Sequence, residues 1–348
     1  MCVFPDFMGN KAAVETLEQM ILGERVPQTI LLDGPEGVGK ATLARRFAAR
    51  LLGGAGKIER DDLSLPHNIE MLADREKLPS EKRNDDPFLL ATHPDFVTFA
   101  PDGPLRQISI HQMRMLKERA QFGPLQGRHR VFLIDSVDRA NEQAANSLLK
   151  ILEEPPAYLI VMLTAENPYD LLPTIRSRSV PLRLAPLSRG EMEAFAEAKG
   201  LKDAQRRIAL AAGSPGLAAT VDLEAYDRRR QAMLAFLEAS AGQSPFSLWT
   251  QFSEKIALAR SEKLEPYLKV LYYLLQDVVH LREGMDDLRN PDLAKPLSKL
   301  ASAVSFPWLR AALRKTDELI ELLRRNIQKN IALDAMVLEL RDMADAKQ

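Results

Sequence analysis

Short apolar runs alternate with amphipathic stretches through about the first 180 residues of the chain. Four runs, at positions 29–32, 96–99, 131–134 and 159–164, have the length and composition of strands that are buried on both faces. Between them, apolar residues recur at helical spacing. This alternation predicts an α/β fold with a doubly wound parallel sheet.

The best-marked helix lies between the third and fourth runs. Its apolar face consists of Ala144, Ala145, Leu148, Leu149 and Leu152. Asn141 is placed to cap the beginning of this helix, and Pro155 ends it because the residue before a proline is disfavoured in a helix. The strand before the helix ends on Asp135. Ligands bind at the carboxyl ends of open parallel sheets, so we expect Asp135 to face a site.

The strand pattern stops near residue 186. Pro181 and Pro186 indicate a linker there, and residues 188–225 predict a small helical unit. The rest reads as amphipathic helices with two apolar faces, made of Tyr267, Leu268, Leu271, Leu274, Leu275, Val278 and Val279, and of Leu319, Leu322, Leu323 and Ile327. The predicted domains are a sheet domain at 1–186, a helical lid at 187–228 and an all-α domain at 229–348.

Charge argues against a broad nucleic-acid-binding surface. The 348 residues include 47 Lys and Arg against 48 Asp and Glu. Trp249, Tyr272, Tyr273 and Trp308 are interpreted as core or helix-contact residues rather than as a base-stacking platform. The basic residues 128–130 are interpreted as a solvated turn, with DNA phosphate contact as the alternative.

Cysteine content and hydropathy bear on location and metal binding. Cys2 is the only cysteine, so an intrachain disulfide and a cysteine-based metal site are excluded. No run approaches the roughly 18 apolar residues that span a bilayer, and the start MCVFPDF lacks a basic region followed by an apolar one. The sequence predicts a cytoplasmic protein without membrane contact, zinc or another metal.

A glycine-rich loop directly follows the first apolar run. Residues 34–40, GPEGVGK, match the phosphate-loop pattern GxxxxGK between a predicted strand and a predicted helix. Glycines let backbone N–H groups close around a phosphate, the helix presents its positive end, and the lysine reaches the outer phosphates. The predicted phosphate-binding residues are Gly34, Pro35, Gly37, Gly39, Lys40, Ala41 and Thr42.

One position of this loop departs from the pattern. Ala41 stands where a serine or threonine hydroxyl normally holds magnesium. Thr42 is next to it, but one residue turns a helix by about 100°, so its hydroxyl should face elsewhere. The loop thus predicts phosphate-loop architecture more firmly than magnesium chemistry, and a plain glycine turn is the alternative.

Residues 55–92 are charged and show little helical or strand period. We expect them to form an irregular surface excursion. His67 lies within this segment and His93 directly follows it, and no second type of metal ligand lies near them in the sequence. Both are therefore interpreted as ordinary surface histidines.

Several segments together resemble a known family. They are the phosphate loop, 93–95 (HPD), 108–116, 144–156 (AANSLLKILEEPP) and 171–179 (LLPTIRSRS), with weaker similarity at 213–218 and 326–340. They resemble the delta prime subunits of the bacterial DNA polymerase III clamp loader, an AAA+ family. The pairing of LLKxLEEPP with TIxSR is highly specific for clamp-loader subunits.

The resemblance implies an AAA+ module, a helical lid and a helical collar that assembles with gamma/tau and delta subunits, in a pentamer that places a sliding clamp on primed DNA. It assigns Asp135 and Ser136 to a degenerate Walker B motif, and Thr164, Asn167 and Leu217 to nucleotide-sensing regions. Ser136 stands where a hydrolysing relative has glutamate, and Leu217 where many relatives have a sensing arginine.

These two departures and Ala41 argue together against ATP turnover at this loop, because phosphoryl transfer depends on such positioning groups. Whether ATP or ADP still binds is left open, as is the role of Asp135, which is structural support or residual metal binding. Family members commonly carry a four-cysteine zinc module after the phosphate-loop helix, and residues 55–92 replace it here without metal.

Arg178 matches the arginine of the family's SRC motif, with Ser179 in place of the cysteine. The resemblance implies that this arginine reaches the nucleotide of an adjacent subunit as a finger, which is typically worth about 10³ to 10⁵ in rate. A simple salt bridge at the sheet edge is the alternative, and Arg176 is the weaker candidate for the finger.

Three functions are weighed. The favoured one is a non-hydrolysing stator of the DNA polymerase III holoenzyme that supplies Arg178 in trans. The second is an autonomous motor-type ATPase that uses Lys40 and Asp135. The third, a DNA-binding accessory protein, is disfavoured by the near-neutral charge, and the sequence contains no polymerase acid constellation.

Overall fold

The computed structural model describes Phe4 and residues 7–258, 263–322 and 328–345. The chain divides into two compact units, the sheet unit (Met1–Ala204 with Gly213–Leu217) and the helical unit (Gln205–Ala212 with Ala218–Gln348). The three predicted domains remain a prediction.

The strands are β1 (Thr29–Asp33), β2 (Phe96–Phe99), β3 (Arg130–Ile134), β4 (Leu159–Ala165) and β5 (Val180–Arg183). The helices up to residue 198 are α1 (Lys11–Leu22), α2 (Lys40–Leu52), α3 (Ala55–Ile58), α4 (Pro66–Lys77), α5 (Ser80–Asp85), α6 (Ile110–Ala120), α7 (Glu142–Glu153), α8 (Pro173–Arg176) and α9 (Arg189–Ala198). The later helices are α10 (Ala204–Ala211), α11 (Pro215–Thr220), α12 (Leu223–Ser240), α13 (Phe246–Leu258), α14 (Glu265–Arg282), α15 (Ala294–Ala303), α16 (Phe306–Leu322) and α17 (Lys329–Asp345).

The sheet is parallel, with the strand order β2-β3-β4-β1-β5. The four predicted strands and the predicted doubly wound architecture are confirmed. The sequence pattern does not predict the fifth strand, β5, because VPLR contains no apolar run and Pro181 indicates a linker. Pro181 lies opposite Leu31 of β1. Since Leu184 N donates to Asp33 O, alternation places the Pro181 nitrogen on the open edge, where no ladder bond is lost.

Alternate strand residues serve two apolar layers. Leu31 packs in the layer covered by α6 and α7, whereas Ile30 and Leu32 pack in the layer covered by α1 and α2. A strand buried on both faces needs apolar side chains at successive positions, which explains the continuous runs. In α7, the Asn141 side chain accepts a hydrogen bond from Ala144 N (2.8 Å), so the predicted cap is confirmed.

The helical unit has its own core. Trp249 and Trp308 are fully buried, and their indole N–H groups donate to Asp334 (2.7 Å) and to Leu340 O (2.9 Å). The interpretation of these tryptophans as core residues is confirmed. The predicted α14 face is buried except for the half-buried Val279. In the second predicted face Leu319 is buried, but Leu322 is exposed, so the prediction is wrong for Leu322. Leu323 and Ile327 lie outside the described residues.

The expectation of an irregular excursion at 55–92 is wrong. This segment forms the helices α3, α4 and α5, joined by short connections. Buried polar groups hold it in place together with a small apolar cluster formed by Leu72, Phe88, Leu90 and Ala100. Arg45 of α2 pairs with Glu59 (3.3 Å) and Asp62 (2.5 Å), while Arg75 of α4 pairs with Asp102 (2.7 Å). Ion pairs, which leave no hydrophobic period in the sequence, therefore share in anchoring the segment.

His93 is also not a surface residue. It is buried, and its Nδ1 accepts a hydrogen bond from Asp95 N (3.1 Å). Burial lowers the pKa of His93. The exposed His67 fits its interpretation as a surface histidine.

Within the described ranges, no group of three or more His, Cys, Asp or Glu side chains is arranged to hold a metal ion, and no helix is long and apolar enough for a membrane span.

Candidate functional site

The glycine-rich loop lies between β1 and α2, at the carboxyl edge of the sheet. Gly37 and Gly39 have φ values of +76° and +99°, which a residue with a side chain rarely adopts. Gly34 lies against β5, and a Cβ at this position would come within 2.1 Å of Leu184 O. The glycines are thus required by the loop geometry itself.

Lys40 begins α2 and is almost completely buried. Its Nζ donates to Gly34 O (2.5 Å) and Pro35 O (2.8 Å) within the loop. Burial lowers the pKa of Lys40, and nearby carboxylates, of which Glu166 and Asp135 act most strongly, oppose this shift. The ammonium that would meet phosphate is therefore engaged by loop carbonyls.

Residues 214–217 lie directly on the loop. Ser214 Oγ donates to Glu36 O (2.7 Å), and Gly216 N donates to Gly37 O (2.8 Å). Leu217 packs against Gly37 so closely that a Cβ there would lie 2.9 Å from the Leu217 nitrogen. At this position, which the family resemblance assigns to a sensing arginine, the loop therefore meets an aliphatic side chain that cannot bind phosphate.

Thr164 connects the ends of β3 and β4. Its Oγ1 donates to Asp135 Oδ1 (2.5 Å) and accepts a hydrogen bond from Ser136 N (2.7 Å). Ser136 has left-handed backbone geometry, with φ +57°. Burial raises the pKa of Asp135, and the Thr164 hydrogen bond opposes this shift. The structure thus brings three predicted site residues together at one strand edge.

Asn167 does not join this group. Its side chain accepts a hydrogen bond from Tyr169 N (3.1 Å) and donates to Asp170 (3.1 Å), so it caps its own turn. The Thr42 hydroxyl accepts a long hydrogen bond from Arg45 (3.5 Å), and Ala41 has no hydroxyl. The loop backbone fits a phosphate group, whereas the residues present do not fit magnesium-dependent nucleotide chemistry.

Sequence reasoning missed three residues at this edge. Asp138 Oδ2 accepts a hydrogen bond from Glu166 N (3.0 Å), and Ser214 holds the loop as described above. Burial raises the pKa of Glu166, and the Glu36 carboxylate beside it acts in the same direction. The available signal for Glu166 was its position two residues after the end of a predicted strand. Carboxylates around Lys40 make the site less favourable for a triphosphate.

Arg178 lies on the turn between α8 and β5. Its Nη2 is 3.0 Å from Glu153 Oε1, and its Nη1 donates to Thr174 O (3.0 Å), while about a third of the side chain is exposed. Ser179 Oγ donates to Ile175 O (2.8 Å) and so fixes the backbone behind it. The guanidinium is both held by its own chain and accessible to solvent.

Arg176 differs from Arg178. Its guanidinium lies over the Tyr169 ring at 5.1 Å, and its Nε is buried without a hydrogen-bond partner among the described residues. This stacking makes it the less accessible of the two arginines, in agreement with its rank as the weaker candidate.

The parallel sheet, its strand order and the glycine-rich loop define a P-loop module of the AAA+ class. Family models described as DNA polymerase III, delta subunit, and as its C-terminal part match residues 81–188 and 224–342. The chain belongs to the clamp-loader subunits of DNA polymerase III and is of the delta prime type.

Individual relatives agree with this assignment. The delta' subunit of Escherichia coli is 30% identical over 231 residues, which cover 64% of this chain and 66% of that protein. The delta' subunit of Pseudomonas aeruginosa is 32% identical over 201 residues, which cover 53% of this chain and 52% of that protein. The gamma/tau subunit of Mycobacterium tuberculosis is 31% identical over 53% of this chain, but the match spans only 29% of its own length.

Among solved structures, a gamma subunit-related protein of Thermotoga maritima superimposes with a TM-score of 0.42 at 16% identity, covering 94% of this chain and 99% of that chain. The family assignment rests on the sequence matches.

Proposed function

We propose that this chain is a non-hydrolysing stator of a clamp loader. In this role it supplies Arg178 to the nucleotide of a neighbouring gamma/tau-type subunit and helps to place a sliding clamp on primed DNA. The clamp and the DNA are engaged by the whole complex, since the chain itself is nearly neutral. Residues 229–348 are proposed as the collar that joins it to gamma/tau and delta subunits.

The observation that carries the proposal is an asymmetry between two sites. At the chain's own site, Ala41, Ser136 and Leu217 replace the residues that would hold magnesium, orient water and contact phosphate, and Leu217 packs on the loop itself. Arg178, in contrast, is accessible, and its contacts to Glu153 and Thr174 leave donors for a further acceptor.

An accessible guanidinium suits stabilisation in trans. It stays charged at any physiological pH and presents its donors in a planar fork that matches phosphate oxygens. Charge that develops on a transferring phosphoryl group in the adjacent site would be stabilised by such a fork. The stator would then contribute to hydrolysis without a turnover of its own.

The test compares ATPase activity and clamp loading of the chain alone and after assembly with gamma/tau and delta subunits. The isolated chain should show no ATPase. In the complex, Arg178→Ala should lower the rate of ATP hydrolysis at the neighbouring subunit's site by about 10³-fold. Arg178→Lys should restore little, because an ammonium lacks the fork.

The matched control is Lys150→Ala, which removes another exposed cation, from α7. It should leave both activities unchanged. Wild-type activity in the Arg178→Ala complex would refute the finger, and equal losses in both variants would point to a general charge effect.

An autonomous ATPase is the second candidate. It is favoured by the intact GxxxxGK pattern and by Glu166, a carboxylate near Lys40 that could orient water in place of the missing glutamate. Hydrolysis by the isolated chain that is lost in Lys40→Ala and in Glu166→Gln would favour this candidate over the stator.

A further inference from the structure

Glu153, the last residue of α7, lies beside the proposed finger and belongs to no part of the phosphate loop. Its Oε1 is 3.0 Å from Arg178 Nη2, and about half of its side chain is exposed. The arginine meets this carboxylate on one side and Thr174 O on the other. Two separate elements thus determine where the guanidinium lies before any partner binds.

The backbone on both sides of this pair is fixed. Gln28 Nε2 donates to Pro155 O (3.2 Å) and Pro156 O (3.1 Å), which holds the chain directly after Glu153. Buried Ile175 and the Ser179 hydrogen bond hold the turn that carries Arg178. The carboxylate therefore acts from a rigid position.

We infer that Glu153 is a positioning residue, which orients the Arg178 guanidinium towards the neighbouring subunit before assembly. This inference rests on the proposed function. A free arginine side chain samples many rotamers, and a fixed acceptor restricts them before the phosphate binds. Less conformational entropy is then lost when the guanidinium binds the phosphate. The Glu153 carboxylate restricts the arginine through its contact with one guanidinium nitrogen, Nη2.

The strength of the pair suits such a role. An exposed ion pair of this kind shifts an equilibrium by about fivefold at most, whereas an arginine finger contributes about 10³ to 10⁵ in rate. The guanidinium can therefore exchange its contact with Glu153 for one with the phosphate with little loss of free energy. A buried pair at the same place would retain the arginine instead.

The test uses the complex assembled from gamma/tau, delta and this chain. Glu153→Ala should lower the kcat of the Arg178-dependent ATPase by about two- to fivefold and leave the KM for ATP within about twofold. Glu153→Gln keeps an acceptor oxygen and should recover most of the loss. Glu154→Ala, which changes the adjacent exposed glutamate, is the matched control and should match the wild type.

A double variant separates the possible failures. In the Arg178→Ala background, Glu153→Ala should cause no further loss, because its effect passes through the arginine. If Arg178→Ala is itself silent, the proposed function fails. If Arg178→Ala lowers activity but Glu153→Ala is silent, or is equally harmful in both backgrounds, the finger stands and the positioning role is overturned. Thermal unfolding should be the same for all the variants, since both side chains are partly exposed.

Discussion

The ion pair between Arg75 and Asp102 offers a direct test of how residues 55–92 are held. Arg75 Nε and Nη2 approach Asp102 Oδ2 at 3.0 and 2.7 Å, and Nη2 also donates to Asp86 O (2.6 Å). Both side chains of the pair are at most 10% exposed. Arg75→Met keeps much of the apolar stem and removes the charge, which leaves the Asp102 carboxylate buried without its cation.

Loss of one partner from a buried pair costs about 3–5 kcal/mol. The lower end applies here, because Asp102 keeps a hydrogen bond from Gly103 N (2.7 Å) through its other oxygen. We therefore expect Arg75→Met to lower the free energy of unfolding by about 3 kcal/mol. Adding Asp102→Asn should recover a large part of this loss, since the neutral amide needs no counter-charge.

Urea unfolding followed by far-UV circular dichroism measures these changes, and hydrogen exchange of α4 locates them. The control is Lys77→Met in the same helix, which breaks a solvent-exposed pair with Asp74 and should leave the midpoint unchanged. If Arg75→Met behaves like this control, or if the double variant is no more stable than the single one, buried ion pairs do not hold the segment.

Two further predictions concern polar groups at and near the site. Thr164→Val removes both the donor to Asp135 and the acceptor for Ser136 N, so urea unfolding should show a loss of about 1–3 kcal/mol; a change within error would contradict the hydrogen-bond assignment. Burial lowers the pKa of His93, so the unfolded chain binds more protons than the folded one below about pH 6.5, and stability falls as the pH falls. His93→Asn keeps an acceptor but cannot titrate, so its Tm should fall less than that of the wild type between about pH 7.5 and pH 5; parallel curves would contradict this account.

The sheet could be predicted because burial on both faces leaves a continuous apolar run in the sequence. The phosphate loop could be predicted because its glycines and lysine are adjacent along the chain. The edge strand β5 could not, since a strand with one open edge tolerates Pro181 and has no such run. Its pairing is determined by β1 rather than by its own composition.

The helices of residues 55–92 escaped prediction for a different reason. Their buried positions include Asp61, Asn68 and Arg75, so the pattern of hydrophobic residues does not mark the inner face. The partners that make this burial favourable, such as Asp102 for Arg75, lie far along the sequence. A periodicity argument cannot detect pairing of that kind.

The candidate site was predicted in part, and the rest depended on tertiary contacts. Thr164 and Leu217 were assigned through a family resemblance, and both lie at the sheet edge. Ser214 and Glu166 were missed because their contacts, to Glu36 and Asp138, join residues that are distant in sequence. That Glu153 pairs with Arg178 likewise became visible only in three dimensions.

The proline in β5 limits how the molecule can associate. A parallel sheet grows by adding a strand whose backbone bonds to successive N–H and C=O groups at its border, and Pro181 interrupts that series in the middle of the outermost strand. An incoming chain would find no continuous backbone template there. A subunit that approaches this side therefore cannot extend the sheet by backbone pairing along the whole of β5.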